Sequence, residues 1–469
     1  MVTRARTKAR VLFVLLLLHL VAGGVSYLGW RQSVPRPSVV TAPPRLVAHK
    51  AAFPVTVEAR RGNVVGVEVA LVQAGKSLIV ARADGPLGAR GDVPVTIDAA
   101  ALELREGDAT FEIRARDDFW RPLTLDGGVL TSFPVALDFT PPLLEILAAT
   151  RYVASGGVGL VAFRVEDAAA AEVTVGDVVV PSFAMGPPER GARVALVGLP
   201  WDMRPSTPAA VRARDAAGNV TTRRIPFEIQ SRQFPRDTID VTDSFLRTKV
   251  PELLPQHPPS APLIDGFLVL NRAQRRQAED EKRRVAAQTA DRPLWEGPFT
   301  QPRNTKVFAN FAERRRYLYH GREVDTQVHF GYDLASTRQA PVPAANTGVV
   351  VFAGPLTIYG TTVIVDHGLG LQTLYAHMSS ISVTVGAQVE KGQELGRTGT
   401  TGLVLGDHLH YEVLVHGFPV TPVEWWDAKW IRDRISLPLR AAGLGEITGL
   451  EAPSMDDSPA RSARPARRR

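Results

Sequence analysis

The chain has 469 residues, 45% of them hydrophobic, which is enough for two to four domains that each bury a core. It has no cysteine, which excludes a disulfide framework, a thiolate metal site, a cysteine nucleophile and a lipidated N-terminal cysteine, and leaves any metal to His, Asp and Glu. A formal charge of +7 and a pI near 9.7 favour anionic surroundings without choosing among nucleic acid, lipid headgroups and an acidic wall polymer.

Arg4, Arg6, Lys8 and Arg10 precede a run from Val11 to about Trp30 that has no charged side chain and is long enough to span a bilayer. Basic residues before the span predict a cytoplasmic N-terminus. Residues 1–30 therefore read as a single-pass signal anchor in an inner membrane, with the rest of the chain in the periplasm or another extracytoplasmic space. The rival reading is a cleaved signal peptide, for which Ala22, Gly23 and Gly24 are small enough. Residues 31–45 are Pro-rich and read as an extended spacer.

Over 46–140 and 141–230 the chain alternates β-rich runs with Gly, Asp and Pro turn clusters, the pattern of antiparallel sandwiches. The segment Ile113-Arg114-Ala115-Arg116-Asp117 recurs as Val211-Arg212-Ala213-Arg214-Asp215, which predicts two tandem immunoglobulin-like β-sandwiches, with a turn over Asp215–Asn219. Residues 231–302 read as a linker containing a polar helix at about 271–290, its charges expected on a solvated face. Glu279, Asp280 and Glu281 interrupt its basic run, which argues against nucleic acid as a partner. Residues 303–430 hold the remaining β pattern, and 431–469 form an extension whose end, 453–469, reads as a disordered basic tail.

Ten histidines occur in the chain, and seven of them lie between 320 and 416. In His408-Leu409-His410-Tyr411-Glu412 strand alternation places His408, His410 and Glu412 on one face. That face suits a ligand or catalyst, and a solvent-facing strand would show the same pattern. Val328-His329-Phe330-Gly331-Tyr332-Asp333 offers an imidazole and a carboxylate four positions apart. In a straight strand these would sit roughly 13 Å apart, so sharing one metal requires a bend, for which Gly331 is the place. With His410 they make two imidazoles and one carboxylate, the composition of catalytic zinc sites that leave a position for water. His320, His367 and His416 each precede a glycine and read as hairpin residues outside the site.

His329-x-Gly331-x-Asp333, Tyr375-Ala376-His377, the Gly-rich approach Gly396 to Gly402, and His408-Leu409-His410 together resemble the lysostaphin-type zinc metallopeptidases, the murein endopeptidases, in order and spacing. The resemblance covers about 303–427 and includes a lead-in at Arg315 to Gly321. It implies a lysostaphin-like antiparallel β-sheet in an otherwise mainly β chain, with one zinc bound by His329, Asp333 and His410. It further implies that His377 and His408 line the site and orient or deprotonate a zinc-bound water that attacks a peptide bond of peptidoglycan. Glu412, on the histidine face, is a candidate for fixing an imidazole tautomer. The expected partners are peptidoglycan, the inner membrane, and other envelope hydrolases or regulators. The rival from another class is a non-catalytic or autoinhibited envelope regulator that activates a separate hydrolase. A wall-binding adaptor using the sandwiches alone would leave the histidines unexplained.

Overall fold

The computed structural model describes residues 2–124, 128–187 and 190–450, so the tail expected over 453–469 lies outside the described residues. It is mainly β and divides into two compact units, Met1–Pro142 with Arg214–Val220, and Leu143–Ala213 with Thr221–Arg469.

The first unit begins with the helix Val2–Ser33, of which Val11–Ser33 is long and apolar enough to cross a membrane. Two sheets follow. One has the order Ser38–Thr41, Lys50–Glu58, Arg90–Asp98; the other has the order Leu46–Val47, Val129–Leu137, Gly107–Asp117, Val64–Gln73, Lys76–Asp84. Alternate residues such as Val93, Val95, Ile97, Phe111 and Ile113 are buried in one core, as period-two patterning demands. Asp117 and Arg121 form a buried two-pronged ion pair at 2.8 and 2.9 Å.

In the second unit, Phe183–Ala184, Ala192–Gly198, Val158–Glu166 and Leu143–Ala149 form a sheet in that order. Val161, Phe163, Ala195 and Val197 face a core shared with Val173, Val175 and Val211. Val158, Leu160, Val194 and Leu196 belong instead to a core with Val413, Val415, Val420 and Trp425 of the C-terminal sheet. The two central strands are thus covered on both faces, and both are nearly continuous apolar runs. The turn expected at Asp215–Asn219, which falls in the first unit, is present, closed by the Asp215 carboxylate, which accepts from the Gly218 and Asn219 amides.

The residues expected as a linker are largely helical: Asp243–Leu253, then an unbroken run of Leu263–Leu268, the π-helical Val269–Gln274 and Arg275–Ala286. The helix predicted over 271–290 therefore starts earlier, immediately after Pro262. Its first two turns hold Leu263, Ile264, Phe267 and Leu268, which pack with Leu374, Ala376 and Leu414.

The C-terminal sheet has eight antiparallel strands. Seven run in the order Lys306–Ala309, Tyr332–Ala335, Leu409–Val415, Leu371–Ala376, Thr361–Asp366, Gly348–Pro355, Gln388–Val389, and Phe418–Val420 pairs with Leu409–Val415. The lead-in Glu313–Tyr319 forms a hairpin with Arg322–His329 and pairs in parallel with Arg236–Asp240. His320 and His416 are turn residues with positive φ. His367 is fully buried and holds Thr347 O and Thr373 Oγ1, each at 2.8 Å, so it braces the sheet and not merely a hairpin.

Candidate metal centre and active site

Three strands converge on one point. Arg322–His329 ends at His329, the chain bends at Phe330-Gly331, and Tyr332–Ala335 carries Asp333 beside His410 of Leu409–Val415, its direct ladder partner. A Cβ on Gly331 would lie 2.6 Å from Tyr411 O and 2.7 Å from the His410 ring, so the bend is made where no side chain fits. His329 Nε2 lies 3.0 Å from Asp333 Oδ1 and 3.0 Å from His410 Nδ1, and His410 Nδ1 is 2.9 Å from the same Asp333 oxygen. All three residues are buried.

A triangle of two nitrogens and one carboxylate oxygen with sides near 3 Å fits a single tetrahedral ion, whose ligands at about 2 Å stand roughly 3.3 Å apart. The remaining nitrogens set the tautomers. His329 Nδ1 donates to Asn310 O at 2.9 Å, leaving Nε2 free to ligate. His410 is reversed: Nε2 donates to Glu412 Oε1 at 2.9 Å and Nδ1 faces the triangle. Glu412 thus stands where the sequence placed it, against the imidazole.

His377 and His408 complete the cluster. Their ring centroids are 5.1 Å apart, and His377 lies 5.7 Å from His410. His377 Nδ1 donates to Thr401 O at 2.9 Å and His408 Nδ1 to Gly406 O at 2.7 Å, so both present Nε2 to the site. His377 holds a left-handed backbone, φ 61°, an uncommon conformation for a non-glycine residue. The glycine-rich turn explains its partner: Gly402, φ 81°, has no room for a Cβ against Ile358 O at 2.3 Å, and this close approach brings the Thr401 carbonyl to His377.

Electrostatics follow from enclosure and neighbours. Burial pushes the Asp333 carboxyl up, yet His329 beside it and hydrogen bonds from His329, His408 and His410 hold it well below the usual carboxylate range. Burial lowers His329, and lowers His377 strongly with help from His408 and His410. Burial opposes charge on His410 too, but Asp333 and Glu412 outweigh it and raise the value.

Two further residues, neither assigned a role from sequence, reach the site. Arg315 Nη2 lies 3.2 Å from Asp333 Oδ2, with Nε 3.0 Å from Glu313 Oε1. Lys282, expected on a solvated face, is fully buried, with Nζ 2.8 Å from Glu412 Oε2 and 2.8 Å from Glu279 Oε1. That expectation is corrected for a physical reason: Ala278, Lys282 and Val285 lie on one helical stripe, and that stripe packs on the sheet. A cavity of about 520 Å³ opens over the cluster, walled by Phe245, Phe267, Phe308, Arg315, Tyr317 and Leu405.

Residues 327–422 match the model of peptidase family M23, a span that contains His329, Asp333, His377, His408, His410 and Glu412. The C-terminal part of the chain is a peptidase M23 domain.

This M23 domain is 38% identical over 119 residues to the DD-carboxypeptidase/endopeptidase Mpg of Neisseria meningitidis, covering 25% of this chain and 26% of the relative. It is 37% identical over 119 residues to the peptidoglycan DD-endopeptidase ShyA of Vibrio cholerae, covering 25% and 27%. The chain thus matches about a quarter of the length of these relatives. A solved structure described as a putative peptidase M23 from Pseudomonas aeruginosa aligns over 58% of this chain and 94% of its own, 22% identical, with TM-score 0.36. Lys282 lies outside the matched span.

Proposed function

We propose that this protein is a zinc-dependent endopeptidase that hydrolyses peptide bonds in the stem peptides or cross-links of peptidoglycan. The observation that carries this is the His329–Asp333–His410 triangle, with two further imidazoles facing it under one cavity. The M23 match and the relatives' printed activities supply the substrate class.

In this reading His329 Nε2, Asp333 Oδ1 and His410 Nδ1 hold one zinc. When bound, zinc supplies Lewis acidity, lowering the pKa of a water and polarising a carbonyl. The chain's own residues do the rest. His377 and His408, each fixed through Nδ1, offer Nε2 to take the proton of the attacking water and to steady charge developing on the carbonyl oxygen. Burial and the neighbouring imidazoles lower the proton affinity of His377, so it stands neutral in the site. Glu412 holds the His410 tautomer that leaves Nδ1 free.

The apolar helix anchors the chain in the inner membrane, with the M23 domain in the periplasm. The two sheet pairs serve as immunoglobulin-like spacers over 46–140 and 141–230. A regulator reading has one observation in its favour: Phe245 and Phe267, from helices before the M23 span, wall the same cavity. Full-length protein in detergent should carry one zinc per chain by mass spectrometry and release muropeptides from purified sacculi in a chelator-sensitive way. Zinc without release supports the regulator; a chain that takes up no zinc overturns the enzyme.

A further inference from the structure

The helix Arg275–Ala286 precedes the M23 span, yet it ends up against the back of the metal centre. Gly417, φ 79°, lies so near it that a Cβ there would meet Arg283 Cα at 2.7 Å. The Thr357 hydroxyl donates to Gln274 O at 2.9 Å, and Asn271 Nδ2 donates to Asp325 Oδ2 at 2.9 Å. On the face pressed to the sheet, where Ala278 and Val285 supply apolar contact, stands Lys282. Desolvating an ammonium is costly, and an apolar residue in this stripe would pack without that cost. The position breaks a local rule, so the reason for it is sought in what it touches.

All three ammonium protons of Lys282 have acceptors: Glu412 Oε2 at 2.8 Å, Glu279 Oε1 at 2.8 Å and the Tyr359 hydroxyl at 3.1 Å. The Tyr359 hydroxyl in turn lies 2.8 Å from Glu412 Oε1 and 3.0 Å from Glu279 Oε1. Glu412 Oε1 also receives the His410 Nε2 proton. A chain of contacts therefore runs from the helix through Lys282 and Glu412 to the imidazole whose other nitrogen faces the metal position. Lys282 and Glu412 are both without solvent exposure, so bulk solvent screens neither partner.

We infer that Lys282 is a positioning residue for the metal centre: it fixes Glu412 against His410, which makes the helix before the M23 span a required part of the zinc site. This rests on the zinc peptidase reading above. Without the ammonium, Glu412 keeps only the Tyr359 hydroxyl and the His410 imidazole as partners and stands near Glu279 with no cation between them, so it is held less firmly where His410 needs it.

The test uses full-length protein in detergent and zinc affinity by competition with a chromophoric chelator, alongside kcat and KM on sacculus-derived muropeptides. Lys282→Met should weaken zinc binding about 10- to 100-fold, the range for partners that orient a metal ligand, and lower kcat with KM little changed. The Glu412→Gln background guards against a misfolded single variant, since it removes the fully buried carboxylate and leaves only Glu279, whose side chain reaches solvent. Zinc affinity in Glu412→Gln and in Glu412→Gln with Lys282→Met should agree within about twofold, because Lys282 acts through Glu412. Wild-type zinc affinity in Lys282→Met, or a further tenfold loss on the Glu412→Gln background, overturns the inference. Wild-type protein that takes up no zinc overturns the peptidase reading and this inference together.

Discussion

His329 Nε2 and Asp333 Oδ1 stand 3.0 Å apart although three residues of chain lie between them, and the bend at Gly331 is what closes that distance. Because the bend presses on Tyr411 O and the His410 ring, Gly331→Ala should displace His410 from the triangle. The expected cost is about 1–3 kcal/mol of stability, by overpacking, and at least tenfold in zinc affinity. Thermal melts and chelator competition on the same preparation check both. Unchanged zinc affinity would mean that the site tolerates a shifted His410.

The proposed function divides the imidazoles into two pairs, His329 with His410 and His377 with His408. His329→Ala or His410→Ala should lose metal and activity together, since each removes a donor from a three-donor set. His377→Ala should keep the metal and lose about 10²- to 10⁴-fold in turnover, the scale of general acid–base contributions. Metal analysis beside muropeptide release decides the matter, and equal metal loss in all three variants would overturn this division of roles.

Zinc should stabilise the unit that holds the triangle. Binding to the folded state alone adds about 2.7 kcal/mol at a free zinc concentration 100 times Kd, removed again by a chelator. Melting curves with and without zinc test this, with the His410→Ala variant expected to show no shift.

Glu424 adds a pH dependence unrelated to catalysis. Burial pushes its carboxyl up to about 8, against which the hydrogen bond from the Val158 amide works only partly. The folded state therefore keeps a proton that the unfolded chain releases near its ordinary value. The contribution of this one group is full below about pH 4.5 and is lost as pH rises from there to about 8, by an amount on the order of a few kcal/mol. Denaturant melts at pH 5 and pH 8 should show that fall in the wild type and a smaller one in Glu424→Gln. Identical pH slopes in the two proteins would assign it elsewhere.

The meeting of His329, Asp333 and His410 was legible because its signals are local. His408, His410 and Glu412 follow strand alternation, and the i, i+4 spacing of His329 and Asp333 demanded a bend that one glycine could supply. Lys282 was not legible. Its neighbours Glu279, Asp280 and Glu281 read as a solvated face, and its decisive partner, Glu412, is 130 positions away. Arg315 was hidden in the same way inside a charged lead-in, Glu313-Arg314-Arg315-Arg316, whose alternate residues turn toward the cavity only once the hairpin forms. The runs Val158-Gly159-Leu160-Val161-Ala162-Phe163 and Ala192-Arg193-Val194-Ala195-Leu196-Val197 did carry a signal. Their lack of alternation means cover on both faces, and hence a second layer against that sheet.

That second layer has a consequence for how the molecule fails. Leu160 and Leu196 share one core with Val413 and Trp425, so the sheet before residue 213 and the sheet that carries His410 cannot lose their packing separately. A protease that nicks the segment between them would leave two pieces still clasped, and a cavity opened at Leu196 would surface as lost zinc retention at a triangle it never touches.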